Sequence, residues 1–199
     1  MLSRALWKIA GALLLINLTA CGAIVKSNDY MEVVDQDKQY FPSPAKSLFI
    51  VERDNDMVGA YYNMILWDVT DRKDPKLIAY IRATMKAAYE MEPGEKTILM
   101  TFANNTTMMK IEALPDKTYF SRIGVGAAYV HFYPIKQGND LDMTRDNISV
   151  AKPNLIKWAK DEERKQNSLQ TRVAKGQSHW NQMSVKEKAT KNMVAEDGR

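Results

Sequence analysis

The sequence predicts a mainly β protein: an antiparallel sandwich of seven to eight strands with a polar C-terminal helical extension. Short runs of strand-forming residues recur through residues 47–135, and turn sequences separate them. This spacing is typical of a sandwich or barrel and unlike the strand–helix alternation of a βαβ fold. Residues 152–199 then become charged and helix-forming. With 199 residues, 45% of them hydrophobic, the chain has room for one domain with a real core.

The first twenty residues predict a secretion signal. Arg4 and Lys8 give a short positive segment, and an apolar run over residues 9–18 follows it. A run of about ten residues is too short to cross a bilayer as a helix, which needs about 20. Residues 1–20 therefore have the pattern of a cleaved signal peptide rather than of a membrane span.

The sequence Leu18-Thr19-Ala20-Cys21, at the end of the apolar run, resembles the lipobox of bacterial lipoproteins at all four positions. The resemblance implies cleavage between Ala20 and Cys21, attachment of lipid to the Cys21 thiol, and anchoring of the mature protein on a membrane. Cys21 is the only cysteine of the chain. A free buried cysteine behind a membrane helix and a signal cut elsewhere are the alternatives.

The residue after the cysteine indicates whether a lipoprotein stays in the inner membrane or moves to the outer membrane. In bacteria with two membranes, lipoproteins with aspartate at this position tend to stay in the inner membrane, and here it is Gly22. The resemblance therefore implies the outer membrane, with the domain facing the periplasm. The inner membrane and the cell surface stay open as alternatives.

Residues 21–46 predict a lipidated tether. They are mostly polar and end at Pro42-Ser43-Pro44, where the prolines disfavour helix. We expect this segment to lift the folded domain off the membrane.

The first half of the β region contains four predicted strands. Their composition is rich in β-branched and aromatic residues, over Leu48–Glu52, Gly59–Val69, Leu77–Arg82 and Thr84–Met91. The last of these is compatible with strand or helix. We favour strand because Glu92-Pro93-Gly94-Glu95 places Pro and Gly as a type II turn requires.

The second half alternates between hydrophobic and polar residues. Ile98, Met100 and Phe102 share one face of a predicted strand, and period two is a strand pattern. After a hairpin connection at Asn104-Asn105-Thr106, alternation resumes. The remaining predicted strand positions are Met109, Ile111 and Ala113, then Thr118–Ile123 and, after Gly124-Val125-Gly126, Tyr129–Tyr133.

Three sequence segments resemble an uncharacterised bacterial lipoprotein family with a small β-sandwich similar to transthyretin-like and PEGA-type modules. They are Glu92-Pro93-Gly94-Glu95-Lys96-Thr97, Lys117-Thr118-Tyr119-Phe120 and Phe132-Tyr133-Pro134. The resemblance covers about residues 47–135. It implies a sandwich and no activity.

Residues 136–199 predict a polar loop and a helical tail. Pro153 suits a first helical turn, Leu155–Lys175 has helical composition, and Gly176 is expected to end the helix. Ser184 and Glu187 have capping-box spacing for a second short helix, too polar to be buried. Before it, Trp180 and Met183 are expected to dock on the sandwich.

Charge is unevenly distributed in the mature chain. Residues 21–151 carry 15 basic and 18 acidic groups, whereas residues 152–199 carry 11 basic and 6 acidic groups. The tail could therefore attract anionic headgroups or another polyanion, although a solvated helix would have the same composition. No nucleic-acid-binding motif is present, so nucleic acid is not expected as a partner.

Residues for catalysis or metal binding are few, and we expect no enzyme, no metal site and no cofactor. His131 lies in a predicted strand and His179 in a loop. The acidic groups Asp54 with Asp56, and Asp68 with Asp71 and Asp74, lack the sequence of a calcium loop, and turns are rich in aspartate.

A binding or assembly module of the cell envelope is the expected function, with an envelope protein or anionic polymer as partner. Outward-facing aromatic residues of the strands would form a recognition face. The candidates are Tyr61, Tyr62, Trp67, Tyr80, Tyr89, Tyr119, Tyr129 and Tyr133. The alternatives are a small-ligand carrier in the periplasm and an envelope hydrolase that uses a histidine.

Overall fold

A computed structural model describes residues 31–33, 41–54, 63–103, 105–125, 130–136, 148–151 and 169–199. Eleven strands and two α-helices lie in these ranges. The strands of the first half are β1 (Met31–Val33), β2 (Ser47–Arg53), β3 (Met64–Asp68), β4 (Lys76–Ile81), β5 (Lys86–Met91) and β6 (Gly94–Phe102). The others are β7 (Asn105–Ala113), β8 (Thr118–Val125), β9 (Val130–Ile135), β10 (Ile148–Ala151), α1 (Leu169–Gln182), α2 (Val185–Lys191) and β11 (Asn192–Met193).

The strands form two sheets, as the prediction of a mainly β sandwich requires. Sheet A has the order β1-β10-β5-β2-β8-β9, and sheet B has the order β11-β7-β6-β3-β4. Eight strands, β2 to β9, fall within residues 47–135, so the predicted strand number is confirmed. The ambiguous segment before the Pro-Gly turn is strand β5, and Gly94 in that turn has a φ of 109°, which favours glycine.

Most neighbouring strands are antiparallel, but three pairs are parallel, in contrast to the purely antiparallel sandwich expected. In sheet A, β2 pairs in parallel with β8, with Phe49 opposite Tyr119. Five strands lie between these two in sequence, and this intervening chain is long enough to bring β8 back in the same direction. The pairs β10–β5 and β11–β7 are also parallel.

The core lies between the sheets and extends to the outer face of sheet B. In β7, Met109, Ile111 and Ala113 are buried while Lys110 and Glu112 are exposed, which confirms the predicted alternation. Strand β2 differs, because all seven of its residues are buried. Its Leu48 and Ile50 pack with Ala88 and Phe120 in a cluster separate from the main core.

Helix α1 packs on the outer face of sheet B and runs through Gly176, where the sequence predicted a helix end. Gly176 is buried, and a Cβ there would lie 2.9 Å from Leu99 Cδ1. The absence of a side chain lets the helix approach the sheet closely. Trp180 and Met183 dock as predicted, with Trp180 buried in the core and Met183 packed against it.

The short helix α2 begins with the predicted capping box. The Glu187 N–H donates to Ser184 Oγ at 3.2 Å, and the Ser184 N–H donates to Glu187 Oε2 at 2.7 Å. None of its residues is buried, as expected. None of the helices within the described ranges is long and apolar enough to cross a membrane.

Part of the predicted tether, residues 21–46, belongs to the folded domain. Met31 is buried, and β1 pairs with β10, Met31 lying opposite Ala151. Residues 43–46 also bond to the sandwich, since the Ser43 N–H donates to Glu90 Oε2 at 3.0 Å. The polar, proline-rich composition of this segment predicts a tether, but edge strands and loops of a sandwich share that composition.

Candidate functional site

The residues on which the sequence prediction depends most, Ala20 and Cys21, lie outside the described part of the chain, as do Asp56, Tyr61, Tyr62 and Tyr129. The other candidate residues can be placed. His131 is exposed on β9 of sheet A, and His179 is exposed on α1, which covers sheet B. The two histidines are therefore on opposite layers of the sandwich and do not share a site.

The aspartates that could have served calcium instead bond to neighbouring groups of the protein. Asp68 accepts the Tyr89 hydroxyl at 3.2 Å and the Thr70 N–H at 2.9 Å. Asp71 accepts the Lys73 N–H at 2.9 Å. Burial, reinforced by Asp68, raises the pKa of Tyr89, so this pair keeps the phenol protonated. Within the described ranges no three potential metal ligands come together.

The strand aromatics are mainly core residues rather than a recognition face. Trp67, Tyr80 and Tyr119 are buried, and Tyr89 is half-buried against the core. Tyr133 is the exposed one among the five that can be placed. The sequence could not distinguish these sets, because the period of a strand does not indicate which of its faces another layer covers.

A row of charges, two of them buried and two half-buried, crosses sheet A, and no sequence pattern indicated it. Glu52 on β2 lies beside Lys86 on β5 and Arg122 on β8, at N–O distances of 3.9 and 3.2 Å. Arg122 Nε is also 3.3 Å from Asp54 Oδ1. Opposite charges alternate along the row, so we assign it to the stability of the sheet rather than to binding an ion.

One end of the sandwich, here termed the exit end, consists of residues 41–46, the β7–β8 turn at residues 114–117, and residues 194–199. Hydrogen bonds connect these segments. The Ala45 N–H donates to Asp116 Oδ1 at 2.9 Å, and the Asp116 N–H donates to the Lys46 carbonyl at 2.6 Å. Ser47 Oγ donates to the Leu114 carbonyl at 2.7 Å. The three segments therefore form one surface.

Tyr119 fixes the C-terminal residues to this end. Its hydroxyl accepts the Leu114 N–H at 2.9 Å and donates to the Ala195 carbonyl at 3.2 Å. Burial raises the pKa of Tyr119. The backbone of Arg199 exchanges two hydrogen bonds with Thr118, at 2.9 and 3.0 Å, while β11 pairs with β7. The chain thus ends bonded to both sheets.

The exit end also exposes large hydrophobic side chains. Phe41 is 70% exposed, Leu114 is 42% exposed and Val194 is 44% exposed. A shallow open cleft of about 280 Å³ lies beside Leu114, between Lys117 and residues 195–198. Three exposed apolar side chains in these connected segments, with no described element over them, make this end the best candidate for a contact surface.

No protein-family model and no curated protein matches the chain. Among solved structures, a candidate cell adhesion protein from Bacteroides ovatus ATCC 8483 has a TM-score of 0.30 and 11% sequence identity. The match covers 47% of this chain and 44% of that chain. A likeness of this size supports neither a fold assignment nor a function.

The exit end was missed in the sequence for a physical reason. Phe41 lies in a proline-rich segment, Leu114 in a turn and Val194 in a polar tail, more than seventy residues apart in each step. Isolated apolar residues in such segments are common and carry no periodicity. Only the parallel return of β8 and the docking of the C-terminal residues bring them to one end.

Proposed function

We propose that this protein is a membrane-anchored lipoprotein of the cell envelope, held by lipid on Cys21, whose sandwich acts as a binding or assembly module rather than as an enzyme. The observation that carries the proposal is the sequence Leu18-Thr19-Ala20-Cys21 at the end of a short apolar run. Several acyl chains, each contributing about 0.8 kcal/mol per buried methylene, would anchor the protein stably without a further hydrophobic segment.

The anchor is tested by Cys21→Ser. We expect the variant to lose the mass of the acyl chains and to leave the detergent-soluble membrane fraction, or to accumulate uncleaved. Ala23→Ser, two residues beyond the lipobox, is the matched control and should keep both mass and partitioning. If Cys21→Ser still carries the added mass that the parent protein has and still associates with the membrane, the anchor is refuted.

The proposed membrane is the outer membrane, and this part depends on Gly22. In lipoprotein sorting an aspartate after the cysteine favours retention in the inner membrane. Gly22→Asp should therefore move the protein to the inner-membrane fraction of a sucrose gradient. Parent protein found in the inner-membrane fraction would contradict the assignment while leaving the lipid anchor intact.

Binding rather than catalysis is proposed because the two candidate catalytic residues do not converge, since His131 and His179 lie on opposite layers of the sandwich. Crosslinking in intact envelopes, followed by purification and mass spectrometry, should recover a protein or an anionic polymer. Recovery of nothing above the Cys21→Ser background would refute the partner. Loss of the cellular phenotype on replacing both histidines by alanine would instead favour a hydrolase.

A further inference from the structure

We propose that the exit end of the sandwich rests on the lipid surface of the membrane that holds Cys21, with Phe41, Leu114 and Val194 in contact with the headgroup region. This inference rests on the proposed lipid anchor. It adds an orientation: one defined end of the domain faces the bilayer.

The direction of β1 is the first support. β1 runs antiparallel to β10, and β10 runs parallel to β5, with Ile148 opposite Lys86. The chain therefore enters β1 from the end at which β5 finishes. Because Met91 of β5 lies opposite Ser47 of β2, this is also the exit end. Met31, the first residue of β1, thus lies toward the exit end.

The number of residues before β1 is the second support. Nine residues separate Cys21 from Met31. Ten Cα–Cα steps extend at most about 33–36 Å, at about 3.3–3.6 Å per residue. Had the tether continued to residue 46, the domain could have stood much further from the bilayer. The short connection keeps the exit end near the membrane, so apolar contact with lipid costs little additional loss of chain freedom.

The chemistry of the exit end gives no preference for anionic lipid. Its exposed large side chains are apolar, and its charges balance, with Lys46, Lys117 and Arg199 against Asp116, Glu196 and Asp197. The basic tail is a weaker candidate, because two of its cations already donate to backbone carbonyls. Arg172 bonds to Ala103 at 2.8 Å and Lys191 bonds to Phe132 at 3.2 Å.

A fluorescence experiment on the lipidated full chain tests the orientation. Once Cys21 carries lipid through its sulfur, an introduced cysteine is the one free thiol. Two variants are labelled with an environment-sensitive dye. Leu114→Cys places the dye just after the last residue of β7, and Asn105→Cys places it at the first residue of β7. These positions are about 30 Å apart, at about 3.4 Å per residue. The proteins are reconstituted in phosphatidylcholine vesicles with and without nitroxide-labelled lipid.

The expected result is a blue shift and strong nitroxide quenching at position 114 and neither at position 105. Val194→Cys should behave as Leu114→Cys does. Adding Phe41→Ser and Val194→Ser to Leu114→Cys should reduce quenching while leaving the lipid mass unchanged. Replacing part of the phosphatidylcholine by phosphatidylglycerol should not increase it.

Two outcomes would overturn the orientation, and they are distinguishable. Equal quenching at positions 114 and 105 in protein whose intact mass includes the acyl chains would refute the contact surface alone. Labelling of Cys21 by the thiol reagent, with no acyl mass, would refute the anchor and the contact surface with it.

Discussion

The attachment of the C-terminal residues to Tyr119 leads to a quantitative prediction for Gly198→Ala. A Cβ at position 198 would lie 2.8 Å from Tyr119 Cζ, 2.9 Å from its hydroxyl oxygen and 2.9 Å from Lys117 Cβ. Real Cβ contacts are longer than this. Tyr119 cannot move aside freely, because its ring is buried and its hydroxyl bonds both Leu114 and Ala195.

Two opposing effects set the size of the change. Overpacking a filled site costs about 1–3 kcal/mol. The backbone of Gly198 has a φ of −72°, which alanine adopts without strain. Alanine also lowers the conformational entropy of the unfolded chain, and this stabilises the folded state by about 0.4–1 kcal/mol. The steric term is larger, and we expect a net loss of about 1–2 kcal/mol in the free energy of unfolding.

Urea unfolding of the purified full chain, followed by tryptophan fluorescence, measures this loss. The midpoint should fall without a change in slope. Val194→Ala, on the same segment but partly exposed, is the control and should change stability by no more than about 0.5 kcal/mol. Adding Tyr119→Phe to Gly198→Ala should cost less than the sum of the two single changes, because the residues touch. If Gly198→Ala is as stable as the parent, the C-terminal residues do not pack on Tyr119.

Two further predictions concern the helices. Trp180→Ala should destabilise the protein by about 3–5 kcal/mol, since it leaves a cavity under α1. The control Gln182→Ala, exposed on the same helix, should not destabilise it. If Trp180→Ala loses less than about 1 kcal/mol by urea unfolding, the docking of the helix is contradicted. Ser184→Ala should cost about 0.5–2 kcal/mol by removing the cap of α2. Hydrogen bonds from Ser184 lower the pKa of Glu187 from 4.5, so that carboxylate stabilises the fold above pH 4.5 and its contribution disappears as the pH falls through the lowered pKa. The difference in stability between the parent and Glu187→Gln should therefore shrink in acid; a constant difference would contradict the capping box.

Local composition determined the strands and one helix start. The Pro-Gly turn before β6, the alternation in β7 and the capping box at Ser184 each depend on residues within one turn or one strand. Their physical causes are the φ range of glycine, the period of two and a side-chain hydrogen bond. These causes act over a few residues, so the sequence contains the whole pattern.

Gly176 shows where local reasoning stops. Glycine in a helical sequence predicts a helix end, yet here it is buried in α1 against Leu99 and Met108. The preference against glycine in a helix interior is about 1 kcal/mol, and the burial of Val173 and Trp180 on either side outweighs it. Nothing near Gly176 in the sequence indicates that a sheet surface lies there.

By itself the sequence predicted the lipobox at Cys21, and it determined the β-rich class of the protein and the polar character of α2, because each of these follows from contiguous residues. The tertiary structure alone decided that β1 and residues 43–46 belong to the domain and that Phe41, Leu114 and Val194 share one end. That end exists because β8 returns parallel to β2 and Tyr119 bonds residues 114 and 195. Contacts between residues so distant in the chain depend on how the sheets pack, and no short pattern encodes them.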